Sequence, residues 1–121
     1  MNYKYINKNI NNVYMRGFNP LNMILCEGAV EILEYAKDGK PKHFNGFREL
    51  INPRTGNPFS SKTILDRTKE LVELGALKRV LTKTKNGREV AGYQITEKGS
   101  KSLELANNFE QELIDIFSIK R

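Results

Sequence analysis

Hydrophobic and polar positions change their spacing several times along the chain, and each change marks a predicted element. After Asn19-Pro20, a capping residue followed by a first-turn proline, apolar side chains recur at helical spacing until Asp38-Gly39. A second, shorter helix is predicted over about 45–51, where Asn52-Pro53 stops it. A third helix is predicted from Ser60 or Ser61 to 74, ending at Gly75.

The pattern then switches to that of a hairpin followed by a long helix. Asn86-Gly87 is a strong turn signal, and a two-residue turn joins β-branched segments 77–85 and 88–95, setting Val80 opposite Tyr93. Thr96 is then a suitable cap for a helix running to about Ile119. The order helix, helix, helix, hairpin, helix predicts a mainly α (α+β) winged helix-turn-helix with a two-stranded wing.

Charge is concentrated in one part of this pattern. The chain carries 20 Lys+Arg and 14 Asp+Glu, a net charge of +6. Residues 54–88 hold nine of the basic and three of the acidic side chains, so this segment alone carries a net charge of +6. Such an excess on one helix and one hairpin indicates a polyanionic partner.

Few residues could support other chemistry. The single Cys26 and the single His43 rule out a disulfide framework and leave too few ligands for a zinc site. We therefore expect no metal, no cofactor and no catalytic residues. Cys26 is interpreted as a small core side chain, with redox sensing left open. No apolar run is long enough to span a bilayer, and no signal peptide is recognisable, so a cytoplasmic location is expected.

Three segments resemble one family in order and spacing. Residues 39–50 (GKPKHFNGFREL) resemble the entry to the second helix of HxlR-type regulators, which are MarR-like winged-helix transcription factors. Residues 61–79 resemble their recognition helix, and 93–99 (YQITEKG) their closing wing strand. The resemblance implies a DNA-binding winged helix. We expect sequence-specific binding of double-stranded DNA, with the third helix in the major groove and the wing at the backbone or the minor groove.

Candidate DNA-contacting residues follow from charge and position. They lie in the long turn before the third helix, on the exposed side of that helix, and at the wing tip: Arg54, Ser61, Lys62, Thr63, Arg67, Lys69, Lys83, Lys85 and Arg88. The short side chains at the helix start are expected to donate hydrogen bonds, and the basic ones to contact base edges or phosphates.

The chain is divided into an Asn-rich arm (1–18), a DNA-binding domain (19–96) and a C-terminal dimerisation helix (97–121). That helix is longer than a single winged-helix core needs, and its apolar stripe predicts a homodimer interface made by Leu103, Ala106, Phe109, Leu113, Ile116 and Phe117. A symmetric dimer would read a palindromic site, most simply as a repressor.

Two other functions stay open. A winged helix can be a protein-interaction module, although a basic hairpin argues against this. A nonspecific nucleic-acid-binding protein is the other alternative, although such proteins spread lysine over the surface rather than concentrating it. A small-molecule effector is compatible with the fold, but no sequence feature supports one.

Overall fold

Five helices and three strands follow one another in the computed structural model, which describes residues 19–118. Their bounds are α1 Pro20–Leu25, α2 Ala29–Tyr35, β1 Lys42–His43, α3 Phe44–Phe47, α4 Ser61–Leu74, β2 Leu77–Lys83, β3 Glu89–Ile95 and α5 Glu97–Phe117. The strands form an antiparallel sheet in the order β1-β3-β2. This is the predicted winged helix with a long C-terminal helix. The predicted arm 1–18 and residues 119–121 lie outside the described residues.

The prediction of one continuous first helix is wrong, because the structure divides it into α1 and α2. Gly28 separates them with a φ of 91°, in the left-handed region that glycine adopts without strain. Its Cα also faces α4 closely: a Cβ there would lie 3.7 Å from both the Phe59 ring and the Thr63 methyl group. The apolar period runs through the break, so the period alone does not reveal it.

The second predicted helix is also wrong in its bounds. The structure has a single helical turn, α3, whose N-cap is His43 and not Asn45. Beyond it the chain turns back on itself: Ile51 forms an antiparallel bridge with Pro58, and the Phe59 N–H donates to the Leu50 carbonyl at 3.1 Å. Because of this bridge and hydrogen bond, the last residues of the predicted helix lie in a tight loop instead.

Both ends of α4 and the start of α5 agree with the predicted caps. The Ser60 hydroxyl accepts the Thr63 N–H at 3.0 Å, and Gly75, with a φ of 89°, ends α4. The Thr96 hydroxyl accepts the Gly99 N–H at 3.0 Å at the start of α5. The Thr96 N–H donates to the Ala76 carbonyl at 3.0 Å, which fixes α5 to the junction between α4 and the wing.

The hairpin has a register that differs by one residue from the predicted one. Val80 pairs with Gly92, and Arg79, not Val80, pairs with Tyr93. The turn contains three residues, 85–87, because the Thr84 N–H donates to the Arg88 carbonyl at 2.9 Å. Gly87 occupies the left-handed position with a φ of 80°, which is the usual form of a three-residue loop closed by a bulge.

The hydrophobic core lies between the helices and the base of the sheet. Its largest fully buried side chains include Phe47, Ile32, Leu33 and Ile64. The predicted pairing of Val80 with Tyr93 would place Leu81 and Lys83 on the face opposite to Tyr93, whereas in the observed register they lie on the same face as Tyr93. That face is buried at its base, where Leu77 is 2 % exposed, and reaches solvent at Leu81.

Candidate nucleic-acid interface

The wing carries the strongest positive charge in the described part of the chain. Residues 77–88 contain five basic side chains and no acidic one. All five are exposed, and none forms an ion pair with another described residue; they are Lys78, Arg79, Lys83, Lys85 and Arg88. Because no described carboxylate forms an ion pair with them, their charge is available to a polyanion in solvent.

The start of α4 is exposed, as the prediction of a reading helix requires. Ser61 and Lys62 are exposed and Thr63 is half-buried. The Lys62 ammonium, however, lies 2.9 Å from the Asp66 carboxylate one turn later. A hydrogen bond from Lys62 lowers the pKa of Asp66, so this carboxylate keeps its charge and neutralises the lysine.

Arg67 lies on a different side of α4 from Lys62. Its side chain is only 16 % exposed and pairs with Glu70 on the same helix. Its aliphatic part packs against the Gly28 break, where Cγ would lie 3.4 Å from an added Cβ, and its Nε is buried without a hydrogen-bond partner. This placement favours a role in holding α4 against the break between α1 and α2.

The helix as a whole therefore contributes no net charge. Residues 61–74 hold three basic and three acidic side chains, and the +6 of residues 54–88 comes from the five wing cations and Arg54. Lys69 is exposed and forms no ion pair within 4.0 Å among the described residues. The net positive charge that the sequence places on the helix and the hairpin together therefore comes from the hairpin and Arg54.

Arg54 and the loop around it are held by a cluster that the sequence does not reveal. Arg54 Nη2 and Asn52 Nδ2 donate to the Glu27 carboxylate at 2.9 and 2.7 Å. We call these three residues the Glu27 clasp. The hydrogen bonds from Arg54 and then Asn52 lower the pKa of Glu27. The clasp joins the break before α2 to the loop before α4, and it leaves the Arg54 side chain 76 % exposed.

A second basic segment, which was not predicted from the sequence, lies beside the sheet. Residues 37–48 contain four basic side chains and one acidic one. Strand β1 pairs with β3, with Lys42 opposite Tyr93 and His43 opposite Gly92, and so brings this segment next to the wing. Its composition was visible in the sequence, but its position depends on a pairing between residues about fifty positions apart.

Helices α1 and α5 expose apolar side chains on a shared face. Leu21 and Leu25 of α1 line a groove against Leu105 and Phe109 of α5. Of the residues assigned to a dimer interface, Leu103 is 6 % exposed and belongs to the core of the chain, and Ala106 is half-buried. The other four are exposed: Phe109, Leu113, Ile116 and Phe117.

Within residues 19–118, no three His, Cys, Asp or Glu side chains come close enough to hold a metal ion. No helix in that range combines the length and apolar character needed to cross a membrane. The Cys26 thiol is half-buried and forms no disulfide.

Comparison with known proteins identifies a similar fold. No protein-family model matches the sequence, and no curated protein matches it. Among solved structures, the chain is similar to a crystal structure from Thermoplasma acidophilum that is described as a proposed transcriptional regulator. The identity is 20%, the TM-score is 0.57, and the match covers 85% of this chain and 99% of the other. This likeness supports the winged-helix fold.

Proposed function

We propose that the protein is a homodimeric, sequence-specific, double-stranded DNA-binding regulator of transcription. The observation that carries the proposal is the wing, with five exposed basic side chains that no described acidic residue pairs. A hairpin of this charge suits the phosphates beside either groove of a duplex. The function is binding without a chemical step.

The exposed start of α4 supports reading of bases. Three polar residues, Ser61, Lys62 and Thr63, lie at the N-terminal end of a 14-residue helix. The major groove is wide enough to admit an α-helix. On this proposal Lys62 exchanges Asp66 for a base edge or phosphate on binding, and Lys69 contacts the backbone further along the helix. Arg67 takes part by positioning α4, since it is mostly buried.

The exposed apolar faces of α1 and α5 support a dimer. Leu21, Leu105, Ile116 and Phe117 are each more than 60 % exposed, and a second copy that covered them would remove this apolar surface from water. A symmetric dimer would place two α4 helices about one turn of DNA, roughly 34 Å, apart. We therefore propose a palindromic site and, most simply, repression by occluding a promoter. The motifs quoted above favour an HxlR-type regulator.

The test is selection of duplexes from a random pool with the purified full chain, combined with sedimentation of the free protein. We expect enrichment of a sequence with inverted repeats and a dimer that Phe109→Glu dissociates. Retention of duplexes without enrichment would favour the nonspecific nucleic-acid-binding alternative. Absence of any nucleic-acid binding would overturn the proposal and favour the protein-interaction alternative.

A further inference from the structure

We propose that a groove between the wing and the start of α3 holds one backbone phosphate of bound nucleic acid, through His43, Asn45 and Arg88. We call it the phosphate groove. The inference rests on the proposed function and extends the contact surface from Arg88 at the wing tip to His43 of β1 and Asn45 of α3. The groove has a volume of about 500 Å³, and its lining residues include Tyr35, Thr84, Val90 and Ala91.

The walls of the phosphate groove come from segments far apart in the sequence. Pairing of β1 with β3 sets residues 41–46 along one side, and Thr84, Arg88, Val90 and Ala91, at or near the wing tip, form the other. The Gln94 side chain donates to the Gly39 carbonyl at 2.6 Å and holds the loop before β1 against the sheet. The Arg88 N–H donates to the Thr84 hydroxyl at 3.2 Å, which fixes the opposite wall.

The charges around the groove favour an anion. No acidic residue lines it, whereas Lys42 and Arg88 both do. The Lys42 ammonium lies 2.9 Å from the Asp38 carboxylate and 4.9 Å from the centre of the Tyr35 ring, so it is already held. A cavity of similar size beside α5 has three acidic lining residues, Glu27, Glu31 and Glu110, and one basic one, Arg54, so its charge suits a phosphate less well.

The remaining polar groups of the groove are available to a ligand. The side chains of His43, Asn45 and Arg88 are exposed, and no described residue forms a hydrogen bond or ion pair with them. An imidazole N–H, an amide NH₂ and a guanidinium can all donate to phosphate oxygens. Since the groove adjoins the wing, a nucleic-acid backbone held by the wing can reach it, whereas a free phosphate ion would lack the neighbouring contacts.

His43 offers a direct test because it is the only histidine in the sequence. The full chain is titrated with duplex DNA and, separately, with inorganic phosphate, and the imidazole signals are followed by NMR. We expect duplex to shift these signals in step with binding and phosphate to shift them little. If duplex binds while the His43 signals stay unchanged, the inference is wrong and the proposed function stands. A shift with phosphate alone would show a small-anion site and would also overturn it.

Affinity measurements with paired variants give a second readout. We expect His43→Ala with Asn45→Ala to weaken duplex binding about tenfold, whereas Gln111→Ala on the exposed side of α5 should have no effect. Duplexes carrying one neutral methylphosphonate at successive positions then locate the contact. One position should weaken binding by the wild type but not by the double variant. If every position weakens both proteins equally, the assignment is overturned. If the wild type binds no duplex, the proposed function fails first.

Discussion

Helix α4 and the wing follow each other directly in the chain, yet they treat their charges in opposite ways. On α4, Lys62 and Arg67 pair with acidic residues of the same helix, and residues 61–74 carry no net charge. On the wing, five cations face solvent with no acidic partner among the described residues. On the proposed function, we infer that the wing supplies affinity for the polyanion and α4 supplies discrimination among sequences.

The largest expected effect comes from breaking the joint between these two regions. A Cβ at residue 99 would overlap the Ala76 carbonyl oxygen, at the point where α4 ends and the wing begins. We expect Gly99→Ala to lower the free energy of unfolding by about 3 kcal/mol, measured by chemical denaturation. Ser100→Ala, at an exposed neighbouring position, is the control. Equal stability of the two variants would contradict the packing described.

The next largest effect should follow from removing wing charge. Lys83→Gln with Lys85→Gln should weaken binding to every duplex by between about tenfold and a hundredfold. The slope of log affinity against log salt should become shallower by about 1.8, since two phosphate contacts are lost. Lys98→Gln with Lys101→Gln removes the same charge from α5 and should leave both quantities nearly unchanged. Similar losses in the two double variants would show that only net charge matters.

A smaller effect, of opposite sign, should follow from freeing a cation on α4. Asp66→Asn removes the partner of Lys62, so we expect duplex affinity to rise several-fold. Glu73→Gln removes the same charge from an exposed position of α4 that pairs with no described basic residue, and should raise the affinity less. Anisotropy titrations of both variants at one salt concentration make the comparison. If the two gains are equal, the Lys62–Asp66 pair does not restrain binding.

The smallest expected effect concerns the Glu27 clasp and acid. Hydrogen bonds from Arg54 and Asn52 lower the pKa of Glu27. A carboxylate whose pKa is lower in the folded state stabilises the fold at pH above its unfolded value, and this contribution is lost as the pH falls through the folded pKa. Glu27→Gln should therefore lower the melting temperature slightly at neutral pH and make it less sensitive to acid. An unchanged acid dependence would contradict the clasp.

Local signals in the sequence predicted the ends of the long helices well but not the break between α1 and α2. The caps Ser60 and Thr96 and the terminating Gly75 gave the bounds of α4 and the start of α5, because caps act on neighbouring residues. Gly28 was not recognised as a break, since the apolar period continues through it and the residues nearest to it from the α4 side, Phe59, Thr63 and Arg67, lie more than thirty positions later. Contacts between residues so far apart in the sequence do not alter the local spacing of apolar side chains.

The candidate site was predicted in composition more than in arrangement. The excess of basic residues in 54–88 was visible, and so were the Lys62–Asp66 and Arg67–Glu70 spacings that cancel it on α4. The hairpin register was wrong because Asn86-Gly87 fits both a two-residue turn and the observed three-residue loop. The phosphate groove depends on β1 pairing with β3, which no local pattern indicates.

The most direct test of the division between wing and helix is hydrogen exchange of the full chain with and without a duplex that it binds. We predict slower exchange at the wing tip, residues 82–88, with any duplex, and at the start of α4, residues 61–66, only with a selected sequence. Protection confined to α5, or protection of α4 by any duplex with none at the wing, would contradict the account.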